Sequence, residues 1–151
     1  MNDNIIDYAY HNALLNCSHG YLLPAVTKIL EDLHLSPDNQ RLFELGCGNG
    51  SVANHLTEKG WDVTGVDPSR QGIALANRNY PNLKLFEGSA YDDLTAVYGQ
   101  FPVVVSLEVV EHVYSPRKFA ATLYSLVQGG GCDYFNTLSW LLEESGYGAD
   151  G

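Results

Sequence analysis

Three glycines at alternate positions, Gly46, Gly48 and Gly50, stand between a short apolar run ending at Leu45 and a helical pattern that starts at Ser51. Nothing else in the 151 residues restricts the fold as tightly. A strand that stops at a glycine-rich turn and hands over to a helix is the opening unit of a parallel α/β sheet, with a nucleotide-type ligand at the strand's C-terminal end. The glycines let the backbone turn sharply and approach a ligand where a Cβ would clash. The helix that follows directs unsatisfied N–H groups at whatever lies in the turn. Gly46 and Gly48 match the first two glycines of a dinucleotide fingerprint, but Ser51 stands at the third, where close helix–strand packing requires glycine. A nicotinamide-dependent oxidoreductase is therefore disfavoured.

From Leu42 onward strand and helix signals alternate: strand 41–45, helix about 50–59, strand 62–66, helix about 69–79, strands 83–86 and 102–106, helix about 116–128. Ahead of them Tyr21–Leu33 carries apolar residues at 22, 26, 29, 30 and 33, one helical face, with Pro24 tolerable near its start. The alternation predicts a Rossmann-like, doubly wound, mostly parallel sheet with helices on both faces. Ligands then belong at the strands' C-terminal ends, near Gly46, Asp67, Ala90 and Ser106. Asp67, just past the second strand, is a carboxylate able to accept both hydroxyls of a ribose.

Four blocks in order carry a family resemblance. Glu44-Leu45-Gly46-Cys47-Gly48-Asn49-Gly50 resembles motif I of the class I S-adenosylmethionine (SAM)-dependent methyltransferases; Asp67-Pro68 matches their ribose-binding acidic position. Glu87-Gly88-Ser89-Ala90-Tyr91-Asp92-Asp93-Leu94 resembles their adenine-bordering loop, with Ser89 where many relatives carry Asp. Ser106-Leu107-Glu108-Val109-Val110-Glu111-His112-Val113 resembles the ubiquinone-biosynthesis O-methyltransferase branch, and the resemblance spans residues 41 to about 131. It implies methyl transfer from SAM, leaving S-adenosylhomocysteine (SAH), to an oxygen or nitrogen of a small molecule. The implied cofactor residues are Glu44, Gly46, Cys47, Gly48, Gly50, Asp67, Pro68, Ser89, Ala90, Tyr91, Ser106 and Leu107. Cys47 reads as a small loop residue, since no basic neighbour lowers its pKa. A SAM-binding protein without turnover is the alternative.

Glu108, Glu111 and His112 are the candidate catalytic residues; at i, i+3, i+4 they share one face if the segment is helical. Three readings stand. His112 is a general base for a hydroxyl proton; the three groups hold a divalent cation that positions substrate oxygens; or they form a solvated cluster that shapes the cleft. No residue is expected to ligate a metal, and the divalent cation is the less favoured of these readings. Tyr8, Tyr10, His11 and Tyr21 either form a lid or pack the first helix onto the sheet.

Length fits one domain, divided as an N-terminal helical lid region 1–38, a cofactor-binding core 39–131 and an atypical tail 132–151. A net charge of −10 with eight scattered Lys and Arg disfavours nucleic acid and anionic membrane surfaces. Three widely spaced cysteines suggest neither disulfides nor a zinc cluster, and no apolar run nears the roughly 20 residues of a membrane span, so a cytoplasmic protein is expected. In the tail, Cys132–Phe135 is a stunted fifth strand or the join of a deletion; Thr137 caps a last helix resembling the family's penultimate one. C-terminal strands are thus expected to be truncated, with Val103–Val105 near an open edge that favours a homo-oligomer.

Overall fold

The computed structural model describes residues 10–16, 19–33, 35–129 and 135–137. Helix α1 spans His19–Glu31, and its buried Leu22, Leu23, Val26 and Leu30 make the apolar face read from the sequence. The alternating units are β1 (Arg41–Leu45), α2 (Ser51–Glu58), β2 (Asp62–Asp67), α3 (Arg70–Asn79), β3 (Lys84–Glu87), α4 (Leu94–Tyr98), β4 (Val103–Ser106), α5 (Pro116–Leu126) and β5 (Phe135–Thr137). All pairings are parallel, in the order β3-β2-β1-β4-β5.

The reversal of order at β1 opens the crevice where parallel sheets bind ligands. β1 and β4, with neighbours on either side, are buried along nearly their whole length, as strands covered on both faces are; β4 is apolar up to Ser106, while β1 places the acidic Glu44 among Leu42, Phe43 and Leu45. One core face joins Leu42, Val103 and Val105 to α1 through Val26 and Leu30, to α2 through Val52 and Leu56, and to α3 through Ile73 and Ala76. The other packs Phe43, Leu45 and Val104 on α4 through Leu94 and on α5 through Phe119, Leu123 and Leu126. Trp61 leans on the first face at the entry to β2, as its position suggested.

Two expectations are corrected. Residues 94–98, for which no element was expected beyond the loop ending at Leu94, form α4, because the Asp93 side chain accepts from the Ala96 N–H and starts a turn. The described part of the fifth strand is β5, in which Thr137 pairs with Ser106; the helix that Thr137 was expected to cap lies outside the described residues. β4 is consequently not the open edge, since β5 pairs Val104, Val105 and Ser106. The proposed final helix and the aromatic Tyr8 lie outside the described residues.

Candidate functional site

The glycine turn is stitched to the end of β2. Gly46 and Cys47 both donate to the Val66 carbonyl, at 2.8 and 3.1 Å, and Gly48 donates to Asp67 Oδ2 at 2.9 Å. Asp67 Oδ1 accepts from the Ser69 N–H at 2.8 Å, while Ser69 caps α3 by accepting from Gly72. Gly46, Gly48 and Gly50 all have positive φ, so the alternate glycines are a backbone requirement here. At Gly46 a Cβ would collide with Val109; at Gly50 it would come within 2.9 Å of Ala76 and Leu85.

These bonds decide what kind of ligand the turn can take. A pyrophosphate-binding turn keeps its N–H groups for the phosphates. Here those of Gly46, Cys47 and Gly48 go to β2, and Asn49 Oδ1 accepts from both Ser51 N–H and Ser51 Oγ at the start of α2. One N–H of the first turn of α2, that of Ser51, is thus taken by its own neighbour.

Two carboxylates lie under this turn. Asp67 is 7% exposed and its charge is supported by two main-chain donors. Glu44, 2% exposed, has a buried Oε2 that meets no hydrogen-bond partner. Burial first, and the negative Asp67 second, push the Glu44 carboxyl up to about 8. Burial likewise pushes the Cys47 thiol well above its usual range, with Glu44 and Asp67 adding to the effect, which removes thiolate chemistry at neutral pH.

The remaining anticipated residues line the same end of the sheet. Ser106, fully buried, spends its hydroxyl on the Leu45 carbonyl at 2.7 Å, tying β4 to β1, and Leu107 is buried beside it. Pro68 is exposed. Ser89, Ala90 and Tyr91 form a turn in which Asp92 accepts from the Ser89 N–H and Ser89 Oγ accepts from the Tyr91 N–H. Tyr91 Oη accepts from the Ser115 N–H at 3.2 Å, and its ring meets Tyr114 edge-on at 4.9 Å, joining this turn to the start of α5.

Glu108, Glu111 and His112 are not on one helical face. Glu108 sits in a left-handed conformation, φ 55°, and only Val110–His112 form a single 3-10 turn. Glu111 and His112 lie 4.0 Å apart with side chains 46% and 67% exposed, while Glu108 Oε2 lies 3.7 Å from His19 Nε2. Helical spacing failed because the backbone reverses at Glu108. Among the described residues no group of three His, Cys, Asp or Glu side chains could hold a metal ion.

His19 was missed as a site residue. Its Nδ1 accepts from the Asn16 N–H, and burial lowers its pKa against the opposing pull of Glu108. No local motif marks such a pair, because the two residues meet only through the sheet. Over the turn lies the segment 10–16. Asn49 Nδ2 donates to the carbonyls of Asn12 and Leu14 at 2.7 and 3.2 Å, Tyr80 Oη donates to the Ala13 carbonyl at 2.5 Å, and the Tyr10 ring covers Gly48 and Gly72. His11 and Tyr21 are exposed.

A family model described as a methyltransferase domain matches residues 18–146. A ubiquinone biosynthesis O-methyltransferase of Albidiferax ferrireducens is 32% identical over 112 residues, 70% of this chain and 44% of that protein. Its counterpart in Chromobacterium violaceum is 30% identical, covering 72% and 48%. The chain thus spans under half the length of these curated relatives. Among solved structures, the magnesium protoporphyrin IX methyltransferase from Synechocystis PCC 6803 with bound SAM is 19% identical, covering 74% of this chain and 55% of that one, with a TM-score of 0.62. A SAM-bound amino pentose methyltransferase from Micromonospora echinaspora is 22% identical, covering 77% and 49%, with a TM-score of 0.61.

Proposed function

The chain belongs to the methyltransferase-domain family, and we propose that it binds SAM and transfers its methyl group to an oxygen or nitrogen of a small molecule. One observation carries the reading: a left-handed glycine turn in which Gly46, Cys47 and Gly48 give their N–H groups to Val66 and Asp67, beside a buried Glu44 whose Oε2 meets no hydrogen-bond partner. That combination suits a compact, cationic, phosphate-free nucleoside. When bound, SAM supplies a methyl carbon activated by positive sulfur, so the protein's work is to hold donor and acceptor in line and dry.

Each element has a part in this reading. Gly46, Cys47, Gly48 and Gly50 form the surface under the amino-acid moiety, and Glu44 receives its amino group. Asp67 accepts the ribose hydroxyls, since each carboxylate oxygen can accept more than one hydrogen bond. Pro68, Ser89, Ala90 and Tyr91 border the adenine; Ser106 and Leu107 offer main chain at the cleft floor. Segment 10–16 acts as the lid of an N-terminal region 1–38 over the core 39–131.

Glu108 and His112 flank the acceptor, with Glu108 held by His19. His112 is the more exposed and suits a general base that takes a hydroxyl proton as the methyl moves; Glu111 beside it supports the charged imidazole. We place the protein in the cytoplasm from its cysteine usage, and note that among the described residues no helix is long and apolar enough to cross a membrane.

Calorimetric titration with SAM, SAH and NAD tests the cofactor. Micromolar binding of SAM and SAH without NAD is expected; NAD binding in their place would overturn the reading. A screen of phenols, catechols and amines with methyl-labelled SAM then tests turnover. Binding without transfer to any acceptor class would leave a cofactor-binding protein.

A further inference from the structure

Within the proposed SAM site, we infer that Glu44 carries a proton in the free protein and releases it when the cofactor's positive amino group arrives, so that cofactor binding and proton release are one event. Glu44 on β1 and Asp67 at the end of the adjacent β2 are both buried, and the charge of Asp67 opposes ionisation of Glu44. Asp67 keeps the negative charge because the N–H groups of Gly48 and Ser69 support it. Glu44 has no such support: Oε2 is buried without a partner, and an ionised carboxylate left so would be costly.

The surroundings supply no counter-charge. β2 and β4 face Glu44 in register with Gly65 and Val105. The titratable groups that act on it or on its neighbour are Asp67 and Cys47, and both oppose ionisation or stay neutral. On α1, His19 is engaged with Glu108, and Lys28 and Glu31 are exposed; on α2, His55 is half-buried and Glu58 exposed; on α3, Arg70 and Arg78 are exposed. Among the described residues no ion pair reaches Glu44. A proton on Glu44 is the remaining way to neutralise it, in agreement with its raised carboxyl value.

A ligand ammonium reverses this balance, because an opposite charge a few ångströms away favours the ionised carboxyl. The Glu44 O–H bond then breaks, its proton passes to a buffer base, and the ammonium keeps all its own protons. The stored position selects for a ligand carrying a cationic amino group and against a neutral nucleoside of the same shape. It also makes occupancy pH-dependent across the physiological range.

The experiment is calorimetric titration of the full chain with SAH at pH 7 in buffers of different ionisation heat, which counts the protons exchanged. Close to one proton released per SAH is expected, with affinity tightening nearly tenfold per pH unit from pH 6 to 7 and levelling above pH 8. Glu44→Gln should bind at least tenfold more weakly and release none, while Glu44→Asp should keep the release. Normal SAH binding without proton release, or unchanged release in Glu44→Gln, overturns the coupling and leaves the cofactor reading standing. Absence of any SAH or SAM binding overturns both. If Glu44→Gln does not fold, the proton count and pH slope of the natural chain still decide.

Discussion

Glu44 has a consequence for stability as well as for binding. Its folded-state carboxyl is raised from 4.5 to about 8, so the folded chain holds a proton that the unfolded chain has lost across that window. Stability from this group is complete below the lower value and declines as pH rises through the upper one. Glu44→Gln should flatten that decline and exceed the natural chain at pH 8 by on the order of 3 kcal/mol, read from urea midpoints at several pH values. Equal pH slopes in the two proteins would refute the assignment. Asp67→Ala should weaken SAH binding by about 1–3 kcal/mol, because it strips a charged acceptor from the ligand and from two main-chain donors. Unchanged affinity in calorimetry would remove Asp67 from the site. At this scale the sequence was most readable where the backbone itself dictates the residue. Gly46, Gly48 and Gly50 take positive φ, and Asp67 sits where a parallel strand must end. It was least readable at Glu108 and His19, whose meeting depends on a left-handed residue after β4 and on where α1 docks.

At the level of elements, α2, α3 and β3 converge on the turn through Gly50, where Ala76 and Leu85 leave no room for a methyl group. Gly50→Ala combines that overlap with a left-handed φ of 79° and should cost about 2–4 kcal/mol in chemical denaturation. Retention of full stability would mean the helices can part more easily than their packing implies. Ser69→Ala removes the cap of α3 and should cost about 1 kcal/mol. The strands and helices of the core were legible to within a residue or two because β1 and β4 are short, mostly apolar runs and α1 is apolar on one face. α4 escaped notice because five residues hold too little periodicity, and its start depends on a single Asp93 hydrogen bond. β5 was anticipated only as a stunted strand ending at Phe135, because its pairing with β4 through Thr137 is a long-range choice that three residues do not encode.

Across the whole molecule, the sheet has two different borders. β3 carries Lys84 and Glu87, paired with Asp62 at 2.7 Å and Arg70 at 3.2 Å, and charged side chains discourage another chain from adding to that edge. Among the described strands β5 forms the other border, so the homo-oligomer expected from the sequence would form there and not at β4. Light scattering at micromolar concentration should report a dimer or larger assembly, reduced by Asn136→Pro, which removes a donor from that edge. A monodisperse monomer would mean that the edge is covered within one chain. The centre of the sheet has a further implication, for the order in which the protein can be made. Leu45 and Ser106, joined by a buried hydrogen bond, are 61 residues apart. During synthesis β1 can pair with β2, and β2 with β3, long before β4 exists, leaving the other side of β1 bare while translation continues. Closure across such a separation is slow, so the half-finished chain, more than the finished one, is the form that a cell must shield from its neighbours.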